Sequence, residues 1–124
     1  MKKLTMTSLA LIASAVAMPA FSAETLFCDR PTQAAQGAAM TAYGTAGTHF
    51  MLTPITVKCS ANVMLKGTDG TAAAWYTVAG NSNKGNNTYG ASTGGFTIVT
   101  GCAIKGGCTP QEVNTALSAS NRGT

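Results

Sequence analysis

From Ile55 to Leu65 the chain alternates without a break: Ile55, Val57, Cys59, Ala61, Val63 and Leu65 are separated by Thr56, Lys58, Ser60, Asn62 and Met64. Successive side chains of a strand point to opposite faces, so a period of two over eleven residues predicts one half-buried β-strand. Pro54 stands at its entry, where a missing backbone donor is tolerated. Lys66-Gly67-Thr68-Asp69-Gly70 has turn chemistry, and Thr71 to Ala79 returns with Trp75, Tyr76, Thr77 and Val78, residue types that favour strands. The two segments predict a β-hairpin. Phe96 to Thr100 reads as a further strand, and Thr25-Leu26-Phe27-Cys28 as a short strand or extended arm broken by Pro31. The Ala- and Gly-rich stretch from Thr32 to Gly47 reads as weak helix or loop, because Gly37 costs about 1 kcal/mol against a helix. Thr109-Pro110-Gln111-Glu112 combines a capping Thr, a Pro at the first helical position and a Glu three residues after the cap, so a helix starts there. Val113, Ala116 and Leu117 give it one narrow apolar face. The expected fold is mainly β, a small antiparallel sheet or sandwich with a short C-terminal helix.

The first residues have a different logic. Met1-Lys2-Lys3 is positive, Leu4 to Met18 is uncharged and largely apolar, and Pro19 to Ala23 contains mostly small residues. This order predicts a cleaved secretory signal peptide over residues 1–22, with Ala20 and Ser22 before the cut, and a single domain over 23–124. The start resembles bacterial Sec signals, so the Sec export machinery is the expected first partner. Cleavage removes Lys2 and Lys3 from the 8 basic residues, leaving 6 against 4 acidic ones, a net charge of +2. Those cations are spread out, which gives no electrostatic footprint for nucleic acid. No other apolar stretch of the mature chain approaches 18 residues, so no membrane insertion is expected after cleavage. The expected location is secreted, at the cell surface or in the periplasm.

All four cysteines, Cys28, Cys59, Cys102 and Cys108, lie beyond the signal, where an even count implies two disulfides. Three pairings exist. Cys28 with Cys59 and Cys102 with Cys108 is favoured, because Lys105-Gly106-Gly107 can turn the chain back between the last two. The first bridge would contribute about 3 kcal/mol by constraining the unfolded chain. Zinc sites need closely paired Cys or His ligands, and this chain offers one C-x5-C and a solitary His49. Neither a metal nor another cofactor is expected.

Catalytic patterns are also missing. There is no G-x-S-x-G elbow, no C-x-x-C, no phosphate-binding glycine motif, and the four carboxylates Glu24, Asp29, Asp69 and Glu112 are scattered. No catalytic residue is assigned, and an enzyme is not expected. Gly80 to Gly95 holds five glycines and four asparagines with Lys84 as its one charge, and reads as a long polar loop: a contact loop, a flexible connection, or glycines at the tight turns of a meander. Trp75, Tyr76, Lys84 and Tyr89 form the candidate contact surface. With 10% charged residues, self-repulsion is weak. The apolar Thr25-Leu26-Phe27 is the candidate assembly arm, able to add to a neighbour's sheet edge. The leading expectation is an exported structural or adhesive subunit that self-associates into a homopolymer, a surface filament or pilus-like assembly. The alternative is a monomeric periplasmic or secreted binding module or inhibitor acting through residues 80–95.

Overall fold

The computed structural model describes residues 24–121; the expected signal peptide lies outside the described residues. Among the described residues, seven strands form two antiparallel sheets: β1 (Thr25–Asp29), β2 (Ala35–Gln36), β3 (Lys58–Cys59), β4 (Val63–Asp69), β5 (Tyr76–Ser82), β6 (Asn87–Ser92) and β7 (Thr97–Gly101). Lys66 to Asp69, expected as a turn, are instead paired residues of β4, and the connection to β5 passes through a 3-10 turn at Thr71–Ala73, where a strand was expected; helix α1 (Pro110–Ser120) comes after the last strand. The main sheet has the order β1-β4-β5-β6-β7, and β2 pairs with β3. The mainly-β fold with one short C-terminal helix is as expected, and so are both disulfides, Cys28–Cys59 and Cys102–Cys108.

The alternating run does not form a single strand. Asn62 adopts a left-handed backbone (φ 65°) and the Val63 N–H turns back to the Ser60 carbonyl, dividing the run into β3 and β4. Asn is among the few non-glycine residues that tolerate this conformation. The break also shifts the phase. Met64, expected on the polar side, is buried, because β4 is covered on both faces.

Gly80 to Gly95 follows the meander alternative rather than the long polar loop. β5 runs through to Ser82 and β6 starts at Asn87, so the stretch is the centre of an antiparallel meander with turns at 83–86 and 93–96. Small polar residues suit these strands because the helix sits directly upon them. In the cross-strand row Lys66, Ala79, Gly90 and Ile98, Ala79 is buried, and a Cβ added to Gly90 would lie 2.7 Å from Ile98 Cγ2 and 2.8 Å from Ser120 Oγ. Val113, Ala116 and Leu117 pack there with Met64 and Ala79.

The opposite face of the sheet is covered only at its β1–β4–β5 side. Residues 37–57 fold across it without regular structure, burying Met40 with Phe27, Cys28, Cys59 and Tyr76, and packing Met51, Ile55 and Val57 on the same cluster. A bulge in β1 between Leu26 and Cys28 lets the consecutive Phe27 and Cys28 both enter this core. The Cys28–Cys59 bridge ties β1 to β3, with Cα atoms 5.6 Å apart.

Buried polar groups join the two halves. Arg30 donates to Asn81 Oδ1 (3.0 Å) and to the Cys108 carbonyl (2.7 Å), while Asn81 Nδ2 donates to Thr88 Oγ1 and the Thr109 carbonyl. Glu112 completes the predicted helix start by accepting the N–H of its N-cap, Thr109, and it also accepts that of Ala103. These donors hold the Glu112 carboxyl below its usual range. Two expectations result. Gly90→Ala should destabilise by about 1–3 kcal/mol in urea unfolding because the helix cannot stay in place, whereas Gly101→Ala, with open space around its Cβ, should change stability by under about 0.5 kcal/mol. The stabilisation lent by Glu112 should be present above the ordinary carboxylate pKa and fade as pH falls through its lowered folded-state value, a loss that Glu112→Gln should abolish in acid titrations followed by circular dichroism.

Candidate functional site

Register places side chains in rows across the uncovered part of the sheet. On the face away from α1, Leu65 is opposite Gly80, Gly80 opposite Tyr89, and Tyr89 opposite Val99. The next row runs Gly67, Val78, Ala91 and Thr97. Towards the β5–β6 turn lie Val63, Ser82 and Asn87. Tyr89 and Val99 are 55% and 64% exposed, because residues 37–57 do not reach β6 and β7.

Two grooves share Tyr89 and Gly80. One, of about 350 Å³, is apolar, with Leu65, Val78, Ala91 and Val99 among its lining residues. The other, of about 450 Å³, is polar at its rim and contains Val63, Ser82, Asn86 and Asn87. Gly80 forms the low floor between the larger side chains of its row. Beside them β7 is the outer strand, paired only with β6, and its sequence Thr97-Ile98-Val99-Thr100-Gly101 contains no charge and no proline.

The predicted contact residues are dispersed. Tyr76 is a core residue, 5% exposed, which corrects its assignment to a contact surface; it starts β5 on the face covered by residues 37–57 and is buried in the cluster that holds Phe27. Trp75 is half-buried and donates its indole N–H to Asn121 Oδ1 at 2.9 Å, tying the hairpin to the helix end. Lys84 is exposed in the β5–β6 turn, and of these four residues Tyr89 alone stands on the open face. Thr25, Leu26 and Phe27 are not a free arm. They form β1, paired with β4 of the same chain, with Thr25 and Phe27 buried and Leu26 at the edge of exposure, because the hydrophobic core closes over Phe27.

Sequence reasoning missed a pair that folding creates. His49 Nδ1 lies 3.1 Å from Asp69 Oδ2, and the Phe50 N–H donates to Asp69 Oδ1 at 3.0 Å, pinning residues 37–57 to the end of β4. The residues are twenty apart, and no local signal joins them. Asp69 is buried, and its charge adds to the effect of burial in pushing the Tyr76 phenol up to about 12. Cys102, Cys108 and Glu112 lie within 4.8 Å of one another, but the sulfurs are bonded together and the carboxylate caps the helix, so the set offers no thiolate to a metal.

Comparison with known proteins places the chain in no group: no family model, no curated protein and no solved structure matches it. Among the described residues, no helix is long and apolar enough to cross a membrane.

Tyr76 generates an alkaline expectation. Burial and the Asp69 charge disfavour its phenolate, so its folded-state pKa exceeds the usual 10.0, stability is untouched by this group below pH 10, and it falls as pH rises from about 10 to about 12. Tyrosine absorbance near 295 nm should show one phenol ionising around pH 12 or with unfolding, and Tyr76→Phe should remove that step.

Proposed function

We propose that the chain is an exported structural or adhesive subunit that assembles with copies of itself by strand addition. The observation that carries this reading is β7, an uncharged outer strand with Val99 exposed and an apolar groove at its side. Outer strands of monomeric proteins are commonly blunted by lysine, proline or a bulge, since their open N–H and C=O groups template pairing. β7 has none of these. The other outer strand is β1, where the Phe27 carbonyl already accepts the Ala38 N–H and the preceding Thr25-Leu26 remains at the border. Pairing β7 of one copy with β1 of the next is a head-to-tail contact, and such contacts propagate into a filament unless a rotation closes them. The candidate arm thus enters assembly as a docked edge rather than as a donated segment. Two disulfides suit the oxidising compartment that the reading requires.

A second reading, a binding module or inhibitor acting as a monomer, draws support from the groove beside Tyr89.

Assembly is tested with one lysine at each edge. The mature, oxidised protein should form oligomers in light scattering and filaments in negative-stain microscopy. Val99→Lys and Leu26→Lys, both at exposed positions, should each raise the concentration of half-assembly by roughly tenfold or more. A mixture of the two variants should stop at dimers, since each retains one usable edge. A wild-type chain that stays monomeric at high concentration overturns the proposal, and a wild-type chain whose two variants assemble equally well overturns the edges assigned to it.

A further inference from the structure

We infer that the groove at Tyr89, Ser82, Asn86 and Asn87 is a binding site for a neutral saccharide. The site does not depend on assembly, because it is lined by β4, β5, β6 and the β5–β6 turn and not by β7. Its chemistry comes from three features of the meander. Tyr89 is half exposed beside Gly80, whose missing side chain leaves the ring flanked by a flat strip of backbone. An aromatic face with negative charge density attracts polarised C–H groups, and the apolar face of a sugar ring presents a patch of them. Gly80 is itself held to this identity by its neighbour strand, since a Cβ there would lie 2.8 Å from the Met64 carbonyl oxygen.

The second feature is the supply of hydrogen bonds. Asn86, exposed at the groove, accepts the Gly106 N–H at its Oδ1 at 2.8 Å, a bond that uses none of its NH2 donors. Asn87 is exposed on the strand with its own amide. Ser82 Oγ accepts the Lys84 N–H and keeps its hydroxyl proton to donate. Amides and hydroxyls offer donors and acceptors together, which is what a ligand covered in hydroxyl groups needs. Anchoring by Gly106 and Lys84 backbone groups limits the entropy lost when a ligand binds.

The third feature is charge. None of the lining residues is ionisable near neutrality, so an anion finds no guanidinium or ammonium in the groove and a cation finds no carboxylate. The volume, about 450 Å³, lies in the range of small-ligand sites and accommodates one to two sugar rings. Lys84, exposed in the adjoining turn, stands outside the lining.

The test uses the full mature, oxidised protein and a panel of probes: maltotriose, cellotriose, chitotriose and a galactobiose as neutral saccharides, with a sulfated and a sialylated trisaccharide as anionic ones. Two-dimensional NMR follows the Asn86 and Asn87 side-chain amides and the Tyr89 ring. At least one neutral probe should shift these three signals together at millimolar concentration. Tyr89→Ala should weaken that binding by roughly tenfold, and Asn87→Ala by a smaller factor, while both variants retain the wild-type circular dichroism and unfolding midpoint because the two side chains are exposed. Absence of shifts with every neutral probe overturns the inference. Shifts with the anionic probes alone, suppressed by salt and by Lys84→Ala, overturn it in favour of a cationic rim. Light scattering on the same samples separates this outcome from that of the assembly proposal.

Discussion

Helix α1 can lie on the sheet only because Ala79 and Gly90 present almost no side chain to it, so that Val113, Ala116 and Leu117 reach down between Met64 and Ile98. That close approach governs how the rest of the sheet is covered. A sheet has two faces, and the described residues contain one α-helix with which to cover them. The second face must be covered by residues 37–57, which lie between β2 and β3, have no regular strand or helix of their own, and hold on by apolar side chains and by isolated backbone bonds such as that from the Ala38 N–H to the Phe27 carbonyl. Met40, Met51, Ile55 and Val57 reach across β1, β4 and β5 and no further. The Cys28–Cys59 bridge and the Asp69 contacts with His49 and Phe50 hold that segment at its two sides. The bare rows at Tyr89 and Val99 are the consequence of a cover that is too short for the sheet beneath it.

The parts of this arrangement legible in the sequence are those set by neighbours along the chain. The helix start at Thr109-Pro110-Gln111-Glu112, the pairing of β4 with β5 as a hairpin, the β7 strand and the tight Cys102–Cys108 loop each rest on a few adjacent residues and appear in the fold, although Lys66 to Asp69, read as the hairpin's turn, belong to β4. The failures arise where distant packing overrides local pattern. Alternation from Ile55 to Leu65 takes no account of the left-handed Asn62, which hands the two ends of the run to different sheets. The composition of Gly80 to Gly95 resembles a loop because glycine and asparagine weaken strands when nothing packs on them. Here α1 packs on them, and small residues are what its approach demands. Tyr76 and Tyr89 have the same chemistry and differ only in which row of which strand they occupy, a matter of register that no single-sequence pattern sets.

The buried polar hub shows the same dependence. Asn81 is 4% exposed and would destabilise the fold if left without partners, yet Arg30, Thr88 and the Thr109 carbonyl satisfy it from three separate elements. Shifting β5 by one residue would bring Gly80 or Ser82 to that point and strand the Arg30 guanidinium without its side-chain acceptor. The network therefore specifies register in a meander whose strands are otherwise rich in interchangeable small residues. It also connects the end of β1 to the helix N-terminus through the centre of the sheet.

Low charge gains a more specific meaning from these contacts. Of the four acidic residues, Glu24 is paired with Lys66, Asp69 is buried against His49, and Glu112 caps the helix. Arg30 is committed to Asn81 and Cys108, and Lys66 also donates to Asn114. Five of the charged groups thus hold elements together, while Asp29, Lys58, Lys84 and Lys105 stay exposed away from β7 and from the row that holds Tyr89. A monomer under pressure to remain one would be expected to place a lysine on β7 or beside Tyr89, since a single ammonium on an edge strand opposes pairing with little harm to the fold. Val99 and Tyr89 occupy those positions instead, on strands whose inward faces are packed beneath the helix at Gly90 and Ile98. The outward positions carry no such packing constraint, so large uncharged side chains there are a choice that the fold itself does not require.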